Sequence, residues 1–220
     1  SMTYSSGIYS SPYQTLAQAQ QVKLDRVTEL LELDGGERIL EIGCGWGALA
    51  RHLIERHRCH VTGLTLSTEQ LGYAREKLSA QGLADKSDLR LEDYRDTAGR
   101  YDRVVSIEML EAVGETYWPL FFDKLRQRLS VGGVAVLQVS TIDERRFESY
   151  RRRPEFIQRY IFPGGMLPTI DIVKQLVSSS GLRLVSTEFF ADSYARTLAD
   201  WHDRFLDAWA SIESLGFDVR

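Results

Sequence analysis

Apolar positions recur along the chain with two different periods. In residues 15–33 they are spaced three or four apart, which is typical of an amphipathic helix, whereas residues 38–42 form a short β-branched run typical of a buried strand. The same reading predicts helices over residues 15–33, 48–56, 67–80, 117–129, 170–179 and 195–210. It predicts strands over residues 38–42, 60–64, 88–91, 101–106, 134–139 and 182–189.

The order of these elements predicts the fold class. Strands alternate with helices, which favours an α/β, Rossmann-like domain with a mostly parallel sheet and helices on both faces. In such sheets ligands bind beyond the carboxyl ends of the strands. The residues that directly follow each strand are therefore the candidates for function.

Composition and charge narrow the class of protein. The 220 residues are 43% hydrophobic and 26% charged, as in an ordinary globular domain, and the net charge of −4 gives no electrostatic case for nucleic acid binding. Cys44 and Cys59 fit neither a disulfide framework nor a zinc pattern, so we expect no metal site and a cytoplasmic location. We divide the chain into residues 1–14, an amino-terminal segment, and residues 15–220, the α/β domain.

A glycine-rich loop follows the first predicted strand and opens a helix. Gly43, Gly45 and Gly47 are spaced G-x-G-x-G, and glycines there allow a ligand to approach the backbone closely. The dinucleotide fingerprint requires G-x-G-x-x-G and an acid after the second strand, but that strand ends in Thr65. Glu41, just before the loop, resembles instead the acid in the loop of S-adenosylmethionine (SAM) methyltransferases.

Several segments, taken in order, resemble the cyclopropane fatty acid synthase family, which includes the mycolic acid cyclopropane synthases. The segments that match are residues 4–9, 40–47, 63–70, 93–96, 106–111 and 160–168. The resemblance implies that SAM is the cofactor. It implies SAM contacts from Tyr4, Ser5, Glu41, Gly43, Gly45, Gly47, Thr65, Gln70, Asp93, Tyr94 and Ile107.

The resemblance also implies a reaction and a catalytic cluster. The family transfers the sulfonium methyl to a carbon–carbon double bond of an acyl chain, and a bound bicarbonate then removes a proton so that the ring closes. Carried over, the family's glutamate and tyrosine are Glu111 and Tyr194. Ser6 stands at the cysteine position and Gln138 at the histidine position, which completes the predicted catalytic set.

Further departures from the family pattern leave the acceptor open. Ser140 stands at an isoleucine position and Ala112 replaces the histidine after the glutamate. Either the cluster still holds bicarbonate or water, or it is reshaped for another acceptor. The alternatives to acyl-chain methylation are therefore a small-molecule N- or C-methyltransferase and a SAM-binding domain that has lost activity.

A basic run followed by aromatic residues suggests which molecules this protein contacts. Arginines at 145, 146, 151, 152 and 153 precede Phe156, Tyr160 and Phe162, a pattern that fits a solvated face, a lid or a segment at a lipid surface. We expect an unsaturated phospholipid acyl chain as substrate and peripheral contact with the inner membrane surface. The family pattern continues beyond Arg220, so we also expect an uncovered sheet edge with either homodimer contacts near the carboxyl end or reduced stability.

Overall fold

The computed structural model describes residues 2–218. Their contacts form two compact units, the larger spanning residues 27–187 together with Met2, and the smaller combining residues 3–26 with 188–218. The predicted division at residue 14 stays a prediction. Among the residues described, no helix combines the length and the apolar character needed to span a bilayer.

The larger unit is built on a five-stranded parallel sheet in the order β3-β2-β1-β4-β5. The strands are β1 (Arg38–Ile42), β2 (His60–Thr65), β3 (Ser87–Leu91), β4 (Tyr101–Ile107) and β5 (Leu129–Gln138). Four of the five β1 residues are buried, because helices cover both faces of a parallel sheet. The predicted α/β, Rossmann-like fold class is confirmed.

Helices of the larger unit connect the strands and pack on them. They are α2 (Ala48–His57), α3 (Thr68–Ala80), α4 (Leu110–Val113), α5 (Trp118–Arg128), α6 (Glu144–Arg152) and α7 (Ile170–Ser179), with short 3-10 turns at Ala84–Lys86 and Glu115–Tyr117 and a π-helical turn at Ile157–Ile161. On α5, Trp118, Phe121 and Phe122 are buried in the core, each worth roughly 1.5–3 kcal/mol of burial. The Trp118 indole N–H donates to the Leu110 carbonyl at 3.0 Å, which fixes α4 beside α5.

The smaller unit consists of the amino-terminal segment and two carboxyl-terminal helices, α8 (Ala191–Asp207) and α9 (Trp209–Glu213). Helix α1 (Leu16–Leu30) begins in this unit and ends in the larger one. The Gly7 backbone N–H donates to Thr197 Oγ1 at 3.1 Å and the Tyr9 N–H to Ser193 Oγ at 3.0 Å, both on α8. Residues 7–9 are therefore fixed along the first turns of α8.

The predicted strand over residues 182–189 is wrong. A strand needs a hydrogen-bonded neighbour, and among residues 2–218 this segment pairs with none, while β5 pairs only with β4. Its apolar side chains at Val185 and Phe189 are 73% and 75% exposed. The helix predicted over residues 195–210 also differs, because it begins at Ala191 and breaks between α8 and α9.

Candidate active site

The glycine loop after β1 leaves no room for side chains. Gly43 and Gly47 have φ values of 84° and 80°, in the left-handed region that favours glycine. A Cβ on Gly43 would lie 2.5 Å from Met109 Cγ and Sδ, and one on Gly47 would lie 2.9 Å from Ala74 Cβ. Glu41, at the end of β1, is only 3% exposed. The loop is thus a tight backbone cradle with a buried acid at its entry.

A hydrogen-bond chain fixes the two predicted SAM-contact residues at the end of β2. Thr65 is buried, and its hydroxyl donates to Gln70 Oε1 at 2.8 Å. The Ser67 N–H donates to Thr65 Oγ1 at 3.2 Å, and Ser67 Oγ in turn accepts the Gln70 N–H at 3.2 Å as the cap of α3. Thr65 and Gln70 are therefore brought together and held in one orientation.

Asp93 and Tyr94 follow the end of β3. The Arg95 guanidinium lies 2.7 Å from Asp93 Oδ2 and keeps the pKa of that carboxyl below its usual range. The Tyr94 ring packs edge-on against Phe121 with 5.3 Å between ring centroids, and burial raises the pKa of its phenol. Both residues are half-buried at the same edge of the sheet as the glycine loop.

The segment after β4 is held against its neighbours on both sides. The Ser106 hydroxyl donates to the Ile42 carbonyl at 3.0 Å, which ties the end of β4, where Ile107 lies, to the end of β1. Glu108 follows with a φ of 51°, a conformation that costs a non-glycine residue roughly 1–2 kcal/mol. Its N–H donates to the Gln138 carbonyl at 2.8 Å.

Glu108 also contacts the predicted catalytic residue Gln138 through its side chain. Gln138 is buried, and its Nε2 donates to Glu108 Oε1 at 2.8 Å. Glu108 is not among the site residues predicted from the sequence. A sequence signal for Glu108 was nevertheless present, because two glutamates, Glu108 and Glu111, closely follow a predicted strand.

Glu111 lies in α4 and faces the end of β5. The Ser140 N–H donates to its Oε1, while its Oε2 is buried and makes no hydrogen bond with residues 2–218. Burial raises the pKa of Glu111 and the negative charge of Glu108 adds to the rise, whereas the Ser140 N–H opposes it. A buried carboxylate with one oxygen left without a partner is suited to face a developing positive charge.

Four predicted site residues lie in the smaller unit. Tyr4 is exposed, Tyr194 is half-buried on α8, and Ser6 is buried with its hydroxyl donating to the Gly7 carbonyl at 3.0 Å. Ser5 Oγ accepts from Lys23 Nζ at 2.7 Å. The other predicted site residues all lie in the larger unit, at the carboxyl ends of the five strands or in the turns and first helical turns that follow them. The roles of all these residues stay predictions.

Among residues 2–218, no group of three or more His, Cys, Asp or Glu side chains is arranged to hold a metal ion. Burial raises the pKa of the Cys44 thiol in the glycine loop, and the charge of Glu41 raises it further. The Cys44 thiol is therefore a poor nucleophile.

Comparison with known proteins places this architecture in a family. The chain is 37% identical over 225 residues to tuberculostearic acid methyltransferase UfaA1 of Mycobacterium tuberculosis, covering 99% of this chain and 52% of the relative. It is 39% identical over 207 residues to a probable fatty acid methyltransferase of Pseudomonas putida, covering 92% of this chain and 52% of the relative. The chain thus spans about half the length of these curated relatives.

Solved structures agree with the sequence relatives. The mycolic acid cyclopropane synthase CmaA1, complexed with SAH and CTAB, superposes with a TM-score of 0.90 at 28% identity, covering 97% of this chain and 78% of that one. The family model described as "Mycolic acid cyclopropane synthetase" matches residues 1–219. The predicted family resemblance is confirmed, and the chain belongs to the mycolic acid cyclopropane synthetase family.

Proposed function

We propose that this chain is a SAM-dependent methyltransferase that transfers the methyl group to a double bond of an unsaturated acyl chain. The proposal rests mainly on Glu111, which is buried and has one carboxylate oxygen that accepts no hydrogen bond from residues 2–218. Met109, in the same segment, packs against the glycine loop. The names of the two curated relatives, a tuberculostearic acid methyltransferase and a probable fatty acid methyltransferase, support an acyl substrate.

The residues around the glycine loop fit SAM. Gly43 and Gly47 form a cradle that a Cβ would fill, so the backbone can approach a ligand closely. Glu41 would hold the ammonium group of SAM, and the Thr65–Gln70 pair at the end of β2 would hold its ribose. When bound, SAM supplies a methyl group on a sulfonium sulfur, which is electrophilic enough to alkylate an alkene.

Glu111 would stabilise the charge that develops on the acyl chain. An alkene that gains a methyl cation becomes a carbocation, and a carboxylate in a buried site stabilises such a cation far better than water does. Glu111 does this only when ionised, and burial raises its pKa. Methyl transfer is therefore expected to fall as the pH is lowered and Glu111 takes up a proton.

Within the larger unit, Gln138 would line the acceptor site, and its side-chain amide is fixed beside Glu108. For Ser6 and Tyr194, which lie in the smaller unit, a catalytic role is proposed on the family resemblance alone. Small-molecule methylation stays the rival function, because Ala112 and Ser140 depart from the family pattern.

A basic and aromatic segment supports peripheral contact with an anionic membrane surface. Residues 144–162 contain six arginines and three glutamates, although the whole chain carries a net charge of −4. Phe156, Tyr160 and Phe162 are exposed in the same segment, and large exposed apolar side chains beside cations suit the lipid interface. Co-sedimentation with anionic vesicles, lost at high salt, is the expected result.

Homodimer contact is part of the same proposal. The outer edge of β5 has no strand partner among residues 2–218, and Leu184 and Val185 expose apolar surface. An unpaired sheet edge favours association with another strand. Analytical ultracentrifugation is expected to give the mass of a dimer, and a monomer at all concentrations would contradict this part.

Labelled methyl transfer tests the proposed function. The protein is incubated with methyl-labelled SAM and vesicles of unsaturated phospholipid, and the label in released acyl chains is counted. Glu111→Gln is expected to lower the rate at least 100-fold with unchanged SAM affinity, while Glu76→Gln, at an exposed position on α3, keeps the rate. Measured SAM binding with label in an amine panel, and none in lipid, would instead favour small-molecule methylation.

A further inference from the structure

Two donors near the end of β5 already serve carboxylates of this chain. The Gln138 Nε2 donates to Glu108 Oε1 at 2.8 Å, and the Ser140 N–H donates to Glu111 Oε1. By the family resemblance these two positions contribute to the bicarbonate site. A bicarbonate placed there would compete for the same donors and add a third negative charge beside Glu108 and Glu111. The residues present therefore do not fit bicarbonate.

Glu108 is held at both its backbone and its side chain. Its N–H and its carboxylate bind the main-chain carbonyl and the side-chain amide of the same residue, Gln138. Its φ of 51° is unfavourable for any residue with a Cβ. Strained backbone that the surroundings hold in place is concentrated at functional sites, because the strain is tolerated where the side chain is needed.

We propose that the Glu108 carboxylate is the proton acceptor of the methyl transfer, in place of bicarbonate. This inference rests on the function proposed above. The S–CH3 bond breaks and a new C–C bond forms to one alkene carbon, which leaves a carbocation on the acyl chain. A C–H bond beside the cation then gives its proton to Glu108, and its electron pair closes a ring or forms a new double bond. Glu108 later releases the proton to solvent.

The carboxylates of Glu108 and Glu111 can have different roles in the reaction because their surroundings differ. Glu111 is held by the Ser140 N–H with its other oxygen buried, so it stabilises the cation from a fixed position. Glu108 Oε1 accepts the side-chain N–H of Gln138. Burial together with the charge of Glu108 raises the pKa of Glu111.

Two variants of Glu108 separate a base from a structural residue. Glu108→Gln keeps the shape but removes the basic oxygen, so kcat is expected to fall at least 100-fold with SAM affinity unchanged, since general bases contribute 10²–10⁴-fold. Glu108→Gly also relieves the positive φ and opens space for a small anion. Its activity is expected to recover at least 10-fold with added formate, acetate or bicarbonate, whereas Glu108→Gln shows no such rescue.

Glu32→Gly is the matched control. Glu32 has the same φ of 51°, and its carbonyl accepts from Arg103 at 2.7 Å away from the strand ends described above. Only Glu108→Gly is expected to lose activity, so relief of a positive φ by itself would not explain the loss. Wild-type activity is expected to change less than twofold when bicarbonate is removed from the buffer.

A binding measurement keeps this inference separate from the proposed function. Titration of the SAH complex with bicarbonate, followed by carbon-13 NMR, is expected to detect binding to Glu108→Gly but not to the wild type. Wild-type methylation of acyl chains tests the proposed function alone. Bicarbonate binding by the wild type, or a Glu108→Gln kcat within threefold of the wild type, would overturn the assignment of Glu108.

Discussion

Replacing Gly43 by alanine tests whether the glycine loop is a rigid cradle. The substitution places a Cβ at a φ of 84°, which costs roughly 1–2 kcal/mol in the left-handed region. The same Cβ would lie 2.5 Å from Met109 Cγ and Sδ, and forcing such a contact costs about 1–3 kcal/mol. The free energy of unfolding is therefore expected to fall by about 2–5 kcal/mol.

Gly36→Ala is the matched control, because it separates the backbone cost from the contact. Gly36 has a similar φ of 89°, but nothing lies within 4 Å of the added Cβ. At about 2–4 °C per kcal/mol for a chain of this size, Gly43→Ala should lower the melting temperature by about 4–20 °C and Gly36→Ala by about 2–8 °C.

Thermal melts and SAM titration calorimetry are the assays. Gly43→Ala is expected to weaken SAM binding more than 10-fold and Gly36→Ala to leave it unchanged. Met109→Ala in the Gly43→Ala background should recover part of the lost stability, because it removes the atoms that the new Cβ meets. Equal destabilisation by Gly43→Ala and Gly36→Ala would refute the argument that Met109 packs rigidly on the loop.

Three further predictions concern single contacts. Glu111→Gln should be more stable than the wild type near pH 8 and equally stable near pH 4. The reason is that a raised carboxyl pKa destabilises the folded state only as the pH rises through that pKa. In thermal melts, a stability difference between variant and wild type that stays constant with pH would contradict this. Tyr9→Phe removes the 2.5 Å bond to Asp200 and should cost about 1–2 kcal/mol in urea unfolding, whereas Tyr13→Phe, 93% exposed, should cost nothing. Thr65→Val removes the hydroxyl that positions Gln70 and should weaken SAM binding about 10-fold by calorimetry, and unchanged affinity would argue against that role.

The sheet was predictable because local patterns and long-range packing agree there. Residues 38–42 contain Ile39, Leu40 and Ile42, and they become β1 at the centre of the sheet with strands on both sides. The segment 182–189 has a similar local pattern, yet it forms no strand. The local pattern indicates only a preference for extended backbone. A strand also requires a neighbouring strand to pair with, which local sequence does not specify.

The site was predictable where chemistry follows directly from residue type and position. Glu41 lies near the end of β1, the glycines follow that strand, and Glu111 lies in the short helix that follows β4, so their common edge followed from the topology. The spacing of Glu108 and Glu111 marks Glu108 as a candidate, but the role proposed for it also depends on a backbone φ of 51° and on an amide 30 residues away. Both are products of tertiary packing between the β4 turn and β5.

The π-helical turn Ile157–Ile161 shows the same limit. Nothing in the spacing of its residues distinguishes a π-turn from an α-helix or a loop, since the three differ only in which carbonyl each N–H reaches. The Phe162 N–H reaches the Ile157 carbonyl five residues earlier, at 2.8 Å. The Met166 N–H, just after the Gly164–Gly165 turn, donates to the Glu111 carbonyl at 2.9 Å, a contact between segments that local spacing does not specify.

Mass analysis of acyl chains after incubation with trideuteromethyl-SAM and unsaturated phospholipid tests the central claim most directly. Acyl chains are expected to gain one carbon, with two deuterium atoms when the transferred methyl loses a deuteron and with three when the chain loses a proton. SAM binding confirmed by calorimetry, with no deuterium in any acyl chain, would contradict the claim that this chain methylates lipid double bonds.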